Sequence, residues 1–238
     1  MAIKAVIATG ANFAASALLT EFPPIPSFNQ GWATFVGDGT LNSQDGSNLS
    51  GTGAFTNVGA APTLHPNYGT FTPILNGWQT PVVDAPTFSI LTVVRFNHAF
   101  SYMAGVWDAS SNNTGLQFQA AGALVVAGLI GSAGCSLSGV SSTGWVCISF
   151  TKGPTGSYGV LTNLSAGGGS SQSTGVAASA HSTANWQIGS YQNAPSGYQF
   201  PTDIAFSMGV PAIITPAQQA QSYAALKGIM GARGLVLT

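Results

Sequence analysis

Two short stretches of the chain combine aromatic rings with side-chain amides: Trp107-Asp108 with Asn112 and Asn113, and Tyr191-Gln192-Asn193 with Tyr198. That combination suits a sugar, because a pyranose presents an apolar face that stacks on a ring and a hydroxyl edge that bonds amides and carboxylates. Trp107, Asp108, Asn112, Asn113, Tyr191, Asn193 and Tyr198 are therefore the expected carbohydrate-binding residues. A structural role competes with this reading, since Trp107 closes a strand-like run and can belong to a core, and Tyr191 and Tyr198 can face a neighbouring subunit. Catalysis is not expected. A glycosidase needs two carboxylates about 5 to 9 Å apart, and the six acids (Glu21, Asp38, Asp45, Asp84, Asp108 and Asp203) include no Glu-x-Asp-x-x-Glu spacing. His65, His98 and His181 lack His-x-Glu or His-x-x-x-His metal spacing, and there is no Gly-x-Ser-x-Gly elbow. No cofactor is expected, with calcium as the one alternative. Asp38 to Asn48 offers oxygen ligands but does not follow the twelve-residue calcium loop, and ordinary Asx-turns account for the same letters.

Residues of this kind need a rigid scaffold, and the composition supplies one of an unusual sort. The 238 residues are 45% hydrophobic and only 5% charged, against about 25% charged in an average chain. A normal core is thus wrapped in Ser, Thr, Asn, Gln and Gly. Such a coat fits a durable extracellular or virion protein whose faces are partly covered by sister subunits. The net charge is -1, with Lys4, Arg95, Lys152, Lys227 and Arg233 scattered, so no basic stripe exists for nucleic acid. No apolar run approaches the roughly 18 residues of a membrane span. The start of the chain looks superficially like a secretory leader, but Thr9, Gly10, Asn12 and Ser16 interrupt it, so a soluble protein that keeps this segment is expected. Cys135 and Cys147 are either one disulfide or two reduced, buried thiols.

The 31 glycines and 13 prolines divide the chain into short apolar runs, the pattern of many strands. Phe88 to Phe96 is apolar on both alternating faces and reads as a central strand. Further strands are expected at Trp32 to Val36, Leu116 to Ala120, Leu124 to Ile130, Trp145 to Thr151, Tyr158 to Asn163, Trp186 to Ser190 and Ile204 to Val210. In the last, Ile204, Phe206, Met208 and Val210 share one face. Thr215-Pro216-Ala217-Gln218 is a capping box opening a helix, with Gly228 and Gly231 as stops. No period of 20 to 50 residues repeats.

From Thr87 onward the order of features resembles the concanavalin A-like, laminin-G-like jelly rolls of phage tail and virion proteins. The motifs are Thr87-Phe88-Ser89-Ile90, Trp145-Val-x-Ile-x-Phe150, a tyrosine-led strand Tyr158 to Asn163, Trp186-Gln187-Ile188-Gly189, Phe200-Pro201-Thr202-Asp203-Ile204 and the helix start at Thr215, with an echo at Pro62-Thr63-Leu64. Thr202 stands where the family often has glycine. The resemblance implies an all-β concanavalin A-like jelly-roll β-sandwich with one short C-terminal helix, formed by residues 27–238 behind an N-terminal attachment arm of residues 1–26. It also implies a non-enzymatic phage virion protein, assembled in the host cytoplasm as a homotrimer or other symmetric oligomer beside other virion proteins. Its role would be that of a lectin-like receptor-binding or tail-tip domain recognising host-surface glycan. The alternative is a capsid decoration or fibre protein with only protein partners.

Overall fold

The computed structural model describes residues 22–41, 45–107, 114–121, 123–127, 135–153, 159–165, 170–173, 182–191 and 199–238. Its strands are β1 (Trp32–Phe35), β2 (Thr56–Gly59), β3 (Thr63–Leu64), β4 (Gly69–Phe71), β5 (Asn76–Val83), β6 (Phe88–Arg95), β7 (Ser101–Val106), β8 (Thr114–Ala120), β9 (Ala123–Ala127), β10 (Ser136–Ser138), β11 (Trp145–Lys152), β12 (Gly159–Asn163), β13 (Ser170–Ser173), β14 (Asn185–Ile188) and β15 (Thr202–Val210). A single helix, α1 (Pro216–Ala232), follows them. The first sheet runs β13-β12-β11-β6-β15-β4-β3, and β1 shares the β4 side of β15; the second runs β10-β9-β8-β7-β14-β5-β2. Every pairing between strands is antiparallel.

The two-faced apolar pattern of β6 has a direct cause. Phe88, Ile90 and Val94 enter the core between the sheets, while Leu91 and Val93 enter a second core beneath α1. The first sheet is thus sandwiched between the second sheet and the helix, a three-layer solution to burying both of its faces. Trp32, Phe88 and Trp186 form the centre of the inter-sheet core, with ring centroids 4.9 to 6.1 Å apart. The helix-side core gathers Phe206, Met208, Leu226, Ile229 and Met230. Phe22 and Ile25, near the end of the expected arm, are buried there too, and the Gln218 amide donates to the Pro24 carbonyl at 2.8 Å. The folded body therefore reaches back at least to Phe22, and residues 1–21 lie outside the described residues.

Two expectations about local geometry are corrected. Ile204 does not share a face with Phe206, Met208 and Val210, because a bulge between Ile204 and Phe206 shifts the register against β6 and sends Ile204 into the inter-sheet core and the other three beneath the helix. The capping box at Thr215 forms as read, but the helix passes through Gly228 and Gly231 to Ala232. It stops where Gly234 adopts φ +78, a left-handed conformation that glycine tolerates.

Neither cysteine forms a disulfide, and both are buried. They cannot bond to each other in this fold, since Cys135 belongs to the inter-sheet core and Cys147, on β11, to the helix-side core. Burial pushes the Cys147 thiol far above its ordinary range.

Candidate functional site

On the second sheet the odd and even residues of β8 separate cleanly. Leu116 and Phe118 enter the inter-sheet core, so Gly115 and Gln117 occupy the outer face. Gly115 lies opposite Gly105 of β7, and Gln117 opposite Tyr102. Gln187 of β14, flanked by the core residues Trp186 and Ile188, lies opposite Gly105 on the other side.

This outer face seats an aromatic cluster. Tyr102 and Tyr191 stack with ring centroids 4.8 Å apart and an interplanar angle of 13°, and Trp107 and Ile74 pack against the pair. The glycines make the seat. A Cβ at Gly105 would lie 2.7 Å from the Tyr191 ring, and one at Gly115 would lie 2.6 Å from the Tyr102 ring, closer than carbon atoms approach. The adjoining turn is fixed by the Ile74 amide donating to Ser190 Oγ at 3.1 Å. Tyr191 retains 8% of its exposure, and burial pushes its hydroxyl up to about 12. Beside the rings, Gln117 and Gln187 are buried, and the carbonyl oxygen of each has no hydrogen-bond partner. An orphaned buried acceptor costs about 1–3 kcal/mol.

The structure therefore brings together two expected residues from separate stretches, Trp107 and Tyr191. Asp108, Asn112, Asn113, Asn193 and Tyr198 lie outside the described residues. Tyr102, Gln117 and Gln187 are additions. The alternation in Leu116 to Ala120 already placed Gln117 opposite the apolar residues, whereas the stretch Ser101 to Val106 carries a bulge between Tyr102 and Ala104 that spoils the two-residue period.

Three ion pairs among the described residues serve the fold. Asp84, buried, accepts from Lys152 Nζ at 2.8 and 2.7 Å, from Trp186 Nε1 and from the Ser182 amide. Asp203 pairs with Arg95 at 2.6 Å, whose guanidinium lies 5.1 and 5.0 Å from the Tyr68 and Trp145 rings. Both oxygens of Asp45 accept from Arg233 at 2.9 Å. In the Asp38-to-Asn48 segment, the two described carboxylates are both engaged within the chain. Asp45 is spent on the guanidinium, and Asp38 forms an exposed turn in which bonds from the Thr40 hydroxyl and from the Thr40 amide, the latter at 2.8 Å, hold its carboxyl below the ordinary range. No cluster of three metal-ligating side chains occurs among the described residues.

No family model and no curated protein matches the chain. Solved structures do. The binding domain of botulinum neurotoxin serotype G is 12% identical with a TM-score of 0.57, over 82% of this chain and 51% of that one. The fold is a lectin-like β-sandwich. A botulinum neurotoxin type C structure, whose description says that cell entry depends on interaction with two ganglioside molecules, matches at 10% identity and TM-score 0.57, over 84% of this chain and 52% of that one. A mutant of Trypanosoma rangeli sialidase displaying trans-sialidase activity matches at 10% identity and TM-score 0.53, over 82% of this chain and 33% of that one. This chain spans about half the length of the toxin domains and a third of the sialidase.

Proposed function

We propose that this domain is a non-enzymatic, lectin-like receptor-binding module of a phage virion, recognising host-surface glycan through the outer face of its second sheet. The observation that carries the reading is the convergence of Trp107 on the Tyr102–Tyr191 stack, beside two glutamine carbonyls that lack partners. Trp107, half-buried at the margin of the cluster, is the ring open to stacking, the buried Tyr102–Tyr191 pair backs it, and none of the grouped side chains carries a charge, which is the chemistry of a neutral sugar. The fold is shared with a botulinum neurotoxin type C structure whose cell entry is described as dependent on two ganglioside molecules, and with a structure described as a receptor binding domain, which adds support from analogy. The N-terminal arm, read from the sequence as residues 1–26 and shortened here by the packing of Phe22 and Ile25, is the proposed link to other virion proteins, and a homotrimer or other symmetric oligomer suits the uncharged coat.

The test is a panel of bacterial surface glycans probed with the intact chain and with Trp107→Ala. A folded variant that loses at least about tenfold in affinity, roughly the 1.4 kcal/mol of one stacked ring, supports the reading, and an intact chain that binds nothing on the panel defeats it. A second reading, a decoration protein with protein partners only, is favoured by the burial of Tyr191 within its own chain and by the exposed, uncharged edge strand β2, which is open to pairing.

A further inference from the structure

At the edge of the sandwich, where β5 meets the loop leading to β2, lies a pocket of about 420 Å³. Its wall is Trp78, whose ring stacks on Phe55 with centroids 5.5 Å apart and an interplanar angle of 7°. From the inside, Phe71 holds the same indole edge-on at 5.2 Å. The rim is the segment Gly46 to Ala54, and no lining residue carries a charge. Gly46, Gly51 and Gly53 all have positive φ, and a Cβ at Gly46 would sit 3.5 Å from the Trp78 ring, so the backbone itself closes over the indole edge.

This rim is built rather than loose. Asn48 donates to Thr52 Oγ1 and the Gly53 carbonyl and accepts from the Ala33 amide. Ser50 and Thr52 hydroxyls donate to the Gly31 carbonyl at 2.5 and 2.7 Å. Gly46 and Leu49 amides bond the backbone of Phe35 and Ala33, and the buried Asp45–Arg233 pair holds the residue that precedes Gly46. A pocket held open by so many bonds does not have to order itself when a ligand arrives.

We propose that this pocket is a second binding site, taking one neutral mono- or disaccharide unit. The volume lies within the roughly 300–1,000 Å³ of small-molecule sites. The half-buried Phe55 ring, backed by the buried Trp78 stacked against it, suits an apolar sugar face, and the absence of lining charge disfavours sialic acids, phosphates and cationic ligands, whose desolvation nothing there would offset. The proposal extends the glycan reading of the domain but uses none of the residues of the Trp107 face.

The experiment is an NMR titration of the isotopically labelled full chain with lactose, maltose, cellobiose and chitobiose as probes. Binding at the pocket gives saturable shifts of the amides of residues 46–55 and of the Trp78 indole. These persist in Trp107→Ala, and their apparent affinity falls at least about tenfold in Ala54→Trp, which fills the pocket. Phe55→Ala, which removes half of the stacked wall, serves as the independent variant if Ala54→Trp disturbs the loop. Shifts confined to residues around Trp107 and Tyr191 overturn the pocket while leaving the sheet-face reading standing; shifts confined to the pocket do the reverse. Silence at residues 46–55 with all four sugars overturns the proposal.

Discussion

Tyr191 couples the candidate face to pH. Its hydroxyl titrates near 12 in the folded chain because burial disfavours the phenolate, against about 10 when unfolded. A raised folded-state value means that the stabilisation is fully present below about pH 10 and is lost as pH rises through about 12. The intact chain should therefore lose more melting temperature between pH 9 and about 11.5 than Tyr191→Phe does, as followed by circular dichroism; parallel losses would show that Tyr191 ionises freely. Lys152 makes the opposite kind of contribution. Its side chain and that of Asp84 retain 8% and 2% exposure, and removing one partner of such a pair strands the other. Lys152→Met should cost about 3–5 kcal/mol in denaturant unfolding, with Lys152→Met/Asp84→Asn recovering much of it. At this scale the sequence marked Trp107 and Tyr191 by their amide-rich neighbours, but nothing local could show that residues so far apart in the chain meet. That follows from β7 and β14 lying side by side. Tyr102 was hidden by the bulge that breaks the period of its strand, and although alternation sets Gln117 apart from its apolar neighbours, it and Gln187 stand out as a pair only once their partners are seen to be missing.

Long, strongly apolar strands, β6, β11 and, despite its bulge, β15, were legible within a residue or two, as was the helix start, because capping chemistry is local. The unread strands share a physical cause. β5 contains Pro81, which cannot donate to a ladder, and the structure tolerates it at the irregularity between the Asn185–Val83 and Gln187–Gln79 pairs. β2 and β3 are short, exposed edge strands with no buried face to impose a pattern. The N-terminal boundary was missed because Phe22 and Ile25 sit among prolines and look like linker, yet the helix supplies their partner surface. Two truncations separate these parts. A chain lacking residues 1–26 should be less stable than one lacking residues 1–21 by about 3–6 kcal/mol, from about 1.5–3 kcal/mol for each buried side chain. Equal unfolding midpoints would place Phe22 and Ile25 outside the cooperative unit.

Among the described residues, charge has been moved inward. Of the charged side chains in the described residues, three acids and three bases are matched in the pairs Arg95–Asp203, Lys152–Asp84 and Arg233–Asp45. Only Asp38 and Lys227 stand outside a pair. A surface of hydroxyls, amides and glycine has no long-range field to steer a partner, so any association, with glycan or with sister copies, has to rest on shape, stacking and short-range hydrogen bonds. Ionic screening acts only on charge, with a reach that shrinks from about 20 Å or more in dilute salt to a few ångströms near molar salt. Neither the assembly state nor glycan affinity should then respond to salt. Light-scattering mass and dissociation constants measured at about 20 and about 500 mM NaCl should agree within about twofold. A mass that falls, or an affinity that weakens several-fold, would assign the cohesion to ionic contacts and contradict a recognition surface built from neutral groups.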